Sequence, residues 1–312
     1  MTTAPHTDEK IPEAALGGVL VLGNFDGVHL GHRALITEAR AMAESLGAPL
    51  GVITFEPHPR RFFQPAAEPF RLTLPPVKER LLKELGVDHV FTLAFDRALS
   101  LLTAEDFIQD ILVDCFQARH IVVGEGFAFG RQRGGTVATL NAAKKFGVTA
   151  VRPVLSPQGQ VYSSSAIRNL LQQGHLAEAE KLLGWRWCME GPVVPGDQRG
   201  RTLGYPTANQ NMPDYVRLPY GIYAVRARIE GEDIWHDGVA NFGIRPMFRS
   251  PEPLFETFIF NFDRDLYGKS MQVQPLRHLR PELAFTGVPA LIAQMKEDCI
   301  AAKAVLKSIP LP

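Results

Sequence analysis

Two histidines stand three positions apart in His29-Leu30-Gly31-His32, directly after an apolar run and a tight Gly-Asn-Phe-Asp-Gly turn. If the chain turns helical here, that spacing puts both imidazoles on one face. A helix start also offers free backbone N–H groups and the positive end of the peptide dipoles, which suits phosphate. Gly31 leaves room for a ligand to approach the backbone. Imidazole donors strengthen as negative charge grows on phosphate oxygens. The competing readings are a metal site or two capping histidines. A helical zinc site usually takes histidines four apart, or further Cys and acid ligands, and none stands nearby. Phosphate chemistry is the favoured reading.

A second dense stretch is GDQRGRTLGYPTANQ, Gly196 to Gln210. Thr207 and Asn209 carry hard oxygen donors suited to Mg²⁺, which otherwise keeps water and takes substrate phosphates. The Gly-Arg segment before them can close over a triphosphate, where positioning and charge neutralisation carry the chemistry. Read alone, the stretch is more commonly a surface loop rich in turn formers. A third, Ser163-Ser164-Ser165-Ala166-Ile167-Arg168, places a serine cluster at a helix start and a fork of donors one turn on. Gly268-Lys269-Ser270 imitates the end of a P-loop, but Asp263 occupies the position of its first glycine, so Lys269 reads as a surface charge.

The elements that must carry these residues follow from periodicity. Val19–Leu22, Leu50–Phe55, Val90–Leu93, Ile121–Val123 and Val148–Val151 are short apolar runs without alternation. They are separated by helical patterns at 34–46, 75–85 and 104–116, the last opened by an N-cap at Thr103. Buried strands alternating with helices predict a doubly wound parallel sheet. A helical stretch from Ser163 to Leu183 is divided at Gly174. Beyond Trp185, Pro and Gly become frequent and short strand candidates appear at 223–229, 235–240, 255–262 and 271–275, predicting a small antiparallel β-barrel. A last helix over 289–308 carries its apolar stripe on Ile292, Met295, Cys299, Ala302 and Leu306. The fold class is therefore α/β plus β, with domains at 1–184 and 185–312.

Composition narrows the function class. The 312 residues are 46% hydrophobic, enough for two cores, and 33 basic residues balance 33 acidic ones. That balance argues against a nucleic-acid footprint. Three scattered cysteines form neither a disulfide framework nor a zinc pattern. The opening MTTAPHTDEK lacks the basic end and apolar run of a signal peptide, and no run reaches membrane-spanning length. The expectation is a cytoplasmic protein with neither nucleic acid nor membrane as partner.

Taken together, the motifs carry a family resemblance. FDGVHLGH (25–32), TFEPHPRRFF (54–63), VVGEGFAFG (122–130) and SSSAIR (163–168) resemble, in order, the segments of the HxGH nucleotidyltransferase module in bacterial FAD synthetases. GRTLGYPTAN (200–209), GVANFGIRPMF (238–248) and FETFIFNFDRDLYGK (255–269) resemble the flavokinase module fused to it. The resemblance covers roughly residues 18–307. Four positions depart from it: Gly126 and Ala128, where the family usually has Asp or Asn and often a basic residue, Ser165 in place of Thr, which keeps the hydroxyl, and Met247 in place of Thr.

The resemblance implies a bifunctional riboflavin kinase and FMN adenylyltransferase using ATP and Mg²⁺, with riboflavin, FMN and FAD as substrates and products. It implies Glu256 as the base of the kinase and His29 and His32 as the charge-stabilising residues of adenylyl transfer. Gly23, Phe25, Asp26, Gly31, Ser164, Ser165 and Arg168 would line ATP and its phosphates in the first site. Gly200, Arg201, Gly204, Pro206, Thr207 and Asn209 would do so in the second, the last two also holding the metal. Phe55, Pro57, His58, Phe127, Phe129, Asn241 and Arg245 would contact flavin. Two rivals stay open: a riboflavin kinase with a degenerate transferase domain, and a flavin-binding regulatory protein without catalysis.

Overall fold

The computed structural model describes residues 11–196, 200, 203–244 and 253–311. The chain forms two compact units, one from the residues up to Glu68 together with Pro75–Ser163, the other from Pro69–Leu74 together with Ser164 onward.

The first unit runs β1 (Val19–Leu22), α1 (Leu30–Leu46), β2 (Leu50–Glu56), α2 (Pro59–Phe63), α3 (Pro75–Glu84), β3 (His89–Ala94), α4 (Arg97–Leu101) and α5 (Ala104–Asp106). α5 continues as a π-helix over Phe107–Cys115, followed by β4 (His120–Gly124), β5 (Ala128–Phe129), β6 (Gly135–Thr136), α6 (Val137–Ala143) and β7 (Gly147–Val151). The five long strands are parallel in the order β3-β2-β1-β4-β7. The expected doubly wound sheet is therefore present, and the strand order reverses at β1, where chain-adjacent β2 lies on one side and β4 on the other. All four residues of β1 are buried, as a strand covered on both faces requires. α1 lays Leu35, Ile36, Ala39 and Ala43 on the core and ends at Gly47, whose left-handed backbone (φ 57°) brings its N–H to the carbonyls of Ala43 and Glu44. Thr103 caps α5 in a reciprocal capping box with Asp106, as its position predicts.

The second unit runs α7 (Ser164–Gln172), α8 (Leu176–Leu183), β8 (Met189–Val194), β9 (Ala208–Asn211), β10 (Gly221–Ile229), β11 (His236–Gly243), β12 (Leu254–Ile259), β13 (Ser270–Arg280) and α9 (Val288–Ser308). Gly174, with φ 77°, makes the break between α7 and α8. The strands close into a barrel in the order β10-β11-β12-β9-β8-β13. Burial alternates along β12: Phe255, Thr257 and Ile259 are buried while Glu256 and Phe258 are half-buried, so the latter pair lies on the opposite face. That face of the barrel meets α9 in a cluster of Ala224, Val239, Leu276, Ala302 and Leu306.

α9 is fixed by two arginines, Arg226 buried and Arg280 half-buried. Arg226 on β10 donates to the carbonyls of Leu306, Ile309 and Pro310 and pairs with Asp237 at 3.0 Å. It thus supplies donors to the carbonyls that every helix end leaves unsatisfied. Arg280, ending β13, makes a two-pronged ion pair with Asp298 at 2.8 and 2.6 Å. The segment Pro69–Leu74 joins the same unit: Arg71 bridges in parallel to Tyr215, and the Trp187 indole N–H donates to the Leu72 carbonyl at 2.7 Å.

Candidate active sites

The first site is built at the carboxyl end of β1, beside the point where strand order reverses. In open α/β sheets that crevice is where ligands bind. β1 delivers Gly23, and the turn after it holds Phe25 and Val28 in positive-φ conformations at 50° and 38°, with Gly27 at 88°. Phe25 and Asp26 are buried beneath it. α1 begins at Leu30, one residue later than a helix containing both histidines would. His29 is therefore the N-cap, its backbone extended, and its Nδ1 accepts the His32 backbone N–H at 3.3 Å. The two rings still meet, stacked with centroids 3.7 Å apart, and His32 also packs on Phe25. Gly31 serves this stack: a Cβ there would lie 3.1 Å from the His29 ring and from the Tyr162 carbonyl oxygen.

β2 and β4 bring up the walls. After β2, Pro57 is exposed, and His58 is buried, its Nδ1 capping α2 by accepting from Arg60 N–H. Phe55 packs edge-on against Phe95. After β4, Phe127 is half-buried and stacks on Phe129, which sits in the core against Phe107. Gly126 is exposed with open space around its missing side chain, and Glu125 lies toward Arg152 at 3.6 Å. Ser164, Ser165 and Arg168 open α7, in the second unit, where Arg168 Nε donates to the Phe70 carbonyl and its guanidinium lies 5.4 Å from the Phe70 ring.

The second site is a row across the barrel. Asn209 on β9 stands opposite Glu256 on β12, Glu256 opposite Asn241 on β11, and Asn241 opposite Ile222 on β10. Directly paired residues share a face, so an amide, a carboxylate and a second amide line up side by side. Asn241 Nδ2 approaches Glu256 Oε2 at 3.5 Å, and its Oδ1, buried, has no hydrogen-bond partner among the described residues. Asn209 is buried, with its amide nitrogen toward the Thr207 carbonyl at 3.4 Å.

Glu256 and Asn241 open onto a cavity of about 300 Å³. Its lining includes Gly200 and Thr207 together with the apolar side chains of Ile222, Phe258, Leu291 and Met295. Gly204 (φ 84°) and exposed Pro206 form the turn leading into β9. Arg201 and Arg245 lie outside the described residues, as does Met247. Sequence reasoning missed the wall formed by Arg280, Glu282, Phe285 and Asp298. Arg280 and Asp298 become neighbours only once α9 is docked, and no local pattern announces them.

Residues 11–166 match the family model for FAD synthetase, and residues 183–306 match the model for riboflavin kinase. The bifunctional riboflavin kinase/FMN adenylyltransferase of Bacillus subtilis (strain 168) is 35% identical over 94% of this chain and 94% of its own length. The enzyme of the same description from Escherichia coli (strain K12) is 38% identical, over 96% and 95%. The chain belongs to the bifunctional riboflavin kinase/FAD synthetase family. A crystal structure from Streptococcus pneumoniae described as a macrolide-efflux protein superposes on this chain with a TM-score of 0.78. The two are 34% identical, and the match covers 91% of this chain and 92% of that one. Among the described residues of this family member, no helix is long and apolar enough to cross a membrane.

Proposed function

We propose that the protein converts riboflavin to FMN and FMN to FAD, consuming one ATP at each step. The observation that carries the kinase reading is the Asn209–Glu256–Asn241 row, which sets a carboxylate between two amides, with Glu256 and Asn241 lining the cavity that Gly200 and Thr207 also line. Glu256 takes the proton from the ribityl 5′-hydroxyl as that oxygen attacks the γ-phosphorus of ATP, and the β–γ bridging oxygen leaves with ADP. Thr207 and Asn209 fit Mg²⁺ by donor chemistry: a hydroxyl and an amide oxygen, beside a carboxylate. Among the described residues no group of three or more His, Cys, Asp or Glu could hold a metal, so the ion would complete its shell with phosphates and water. Bound there, Mg²⁺ neutralises charge on the transferring phosphate. The apolar side chains of the cavity lining receive the flavin ring, and Asn241 Oδ1 is free to accept a ligand donor.

In the first unit, an FMN phosphate oxygen attacks the α-phosphorus of a second ATP and pyrophosphate leaves. His29 and His32, stacked at the start of α1, stabilise the charge that builds on the phosphates. Phe127 borders the flavin. The substrates are ATP and flavins, and the compartment that supplies them is the cytoplasm.

The decisive experiment feeds riboflavin or FMN, with ATP and Mg²⁺, to two variants and separates the flavins by chromatography. Glu256→Gln is expected to abolish FMN formation while FMN still becomes FAD. His29→Ala is expected to do the reverse. Loss of both steps in either folded variant would refute the assignment of one chemistry to each unit. An unmodified protein that makes FMN and leaves supplied FMN untouched would establish the kinase-only reading instead.

A further inference from the structure

Lys78 is a buried cation that neither proposed reaction uses. It is the fourth residue of α3, where the helix presents its positive end, so its charge opposes the helix dipole. It is only 3% exposed. Its Nζ reaches Thr54 Oγ1 at 2.8 Å, Glu56 Oε1 at 3.0 Å and the Asn24 carbonyl oxygen at 3.4 Å. Thr54 is fully buried, and its hydroxyl donates to the same Asn24 carbonyl at 3.3 Å. A buried ion pair such as Lys78–Glu56 contributes little net stability, because desolvation offsets the attraction. Its geometry is what distinguishes it.

Asn24 belongs to the turn that carries the first site. That turn holds Phe25, Gly27 and Val28 at positive φ, and a β-branched residue such as Val28 is strained there. Strain of this kind persists only where the surroundings over-determine it. Two groups converge on the Asn24 carbonyl from below, the Lys78 ammonium and the Thr54 hydroxyl. The ammonium has three protons and meets three acceptors in this cluster, which suits a brace rather than a phosphate ligand.

We propose that Lys78, acting with Thr54, is a positioning residue for adenylyl transfer: it pins the Asn24 carbonyl, and through the 24–28 turn it sets the placement of the His29–His32 stack. The inference rests on the adenylyltransferase reading of the first unit. It differs from a phosphate-binding role because the ammonium acts through the backbone.

The test measures FMN adenylylation and riboflavin phosphorylation in the same samples; phosphorylation reports the intact second unit, and resistance of the first unit to limited proteolysis shows that Lys78 and Thr54 variants are folded around the substituted residue. Lys78→Met is expected to lower kcat for FAD formation about 100-fold, the order found when reacting groups are misplaced by an ångström. The KM values for ATP and FMN should stay within about threefold, as expected of a group that binds neither substrate. Lys78→Arg, which keeps donors and charge, should recover most of the activity. Thr54→Val, smaller in effect and serving if Lys78→Met fails to fold, should lower kcat in the same direction by about 10-fold. FAD formation within twofold of the unmodified protein in folded Lys78→Met or Thr54→Val would overturn the proposal. So would a loss confined to the KM for ATP, which would make Lys78 a phosphate ligand. Failure of the unmodified protein to make FAD would instead overturn the underlying reading of the first unit.

Discussion

At the scale of single residues, two glycines near the first site make opposite demands. Gly31 lies inside the first turn of α1, where alanine is intrinsically favoured by about 1 kcal/mol. Yet its Cβ would press on the His29 ring at 3.1 Å. Gly31→Ala is therefore expected to leave the melting temperature unchanged or raised while lowering FAD formation at least 10-fold, a separation that melting and turnover measurements would show. Gly126 is surrounded by open space and does not adopt a left-handed backbone. Gly126→Ala should raise stability by about 0.4–1 kcal/mol through the unfolded chain, with turnover unchanged, and a denaturant titration would measure it. The histidines were legible in the sequence because spacing and residue type bear directly on phosphate chemistry. The stacking that makes Gly31 necessary was not, because it depends on His29 capping the helix rather than lying within it.

At the scale of elements, legibility followed burial. The five strands of the parallel sheet stand out as apolar runs because both of their faces are covered. β10 to β13 were found as well, with their ends displaced by a few residues. β8 and β9 were missed: Ala208-Asn209-Gln210-Asn211 is poor in strand formers and looks like loop, and only pairing with β8 and β12 makes it a strand. On the proposed kinase reading the reason is plain: polar side chains such as Asn209 stand where strand-favouring residues otherwise would. The final helix was plain from its stripe, but its anchorage was not. Arg226 donates to three carbonyls at its end and pairs with Asp237. Arg226→Met should cost about 2 kcal/mol, because three helix-end carbonyls lose their donor together, while the exposed carboxylate of Asp237 adds little. Arg226→Lys, with a point charge and no fork, should recover only part of it. Urea midpoints of the three proteins would give both numbers.

At the scale of the whole molecule, the chain does not fold as two successive blocks. Pro69–Leu74 belongs to the second unit, and α7 and α8 lie there too, whereas sequence periodicity suggested a clean change near residue 184. A linear reading cannot detect a short excursion whose partners, Tyr215 and Trp187, lie far along the chain. Trp187→Phe keeps an aromatic ring but removes the N–H that donates to the buried Leu72 carbonyl, and should cost about 1–2 kcal/mol in thermal or denaturant unfolding. Closure of the barrel has a consequence of another kind. β10 to β13 and their neighbours leave no unpaired rim, while the five-stranded sheet ends in β3 and β7, each flanked on one side only among the described strands. Open rims are templates on which copies of a chain can stack during heat or crowding. β7 is half-exposed and follows directly after exposed Lys144 and Lys145, charges that act as gatekeepers against such stacking. Precipitation on ageing or overheating would thus start in the adenylyl-transfer half, and a preparation could lose FAD synthesis to aggregates while its barrels stayed individually intact.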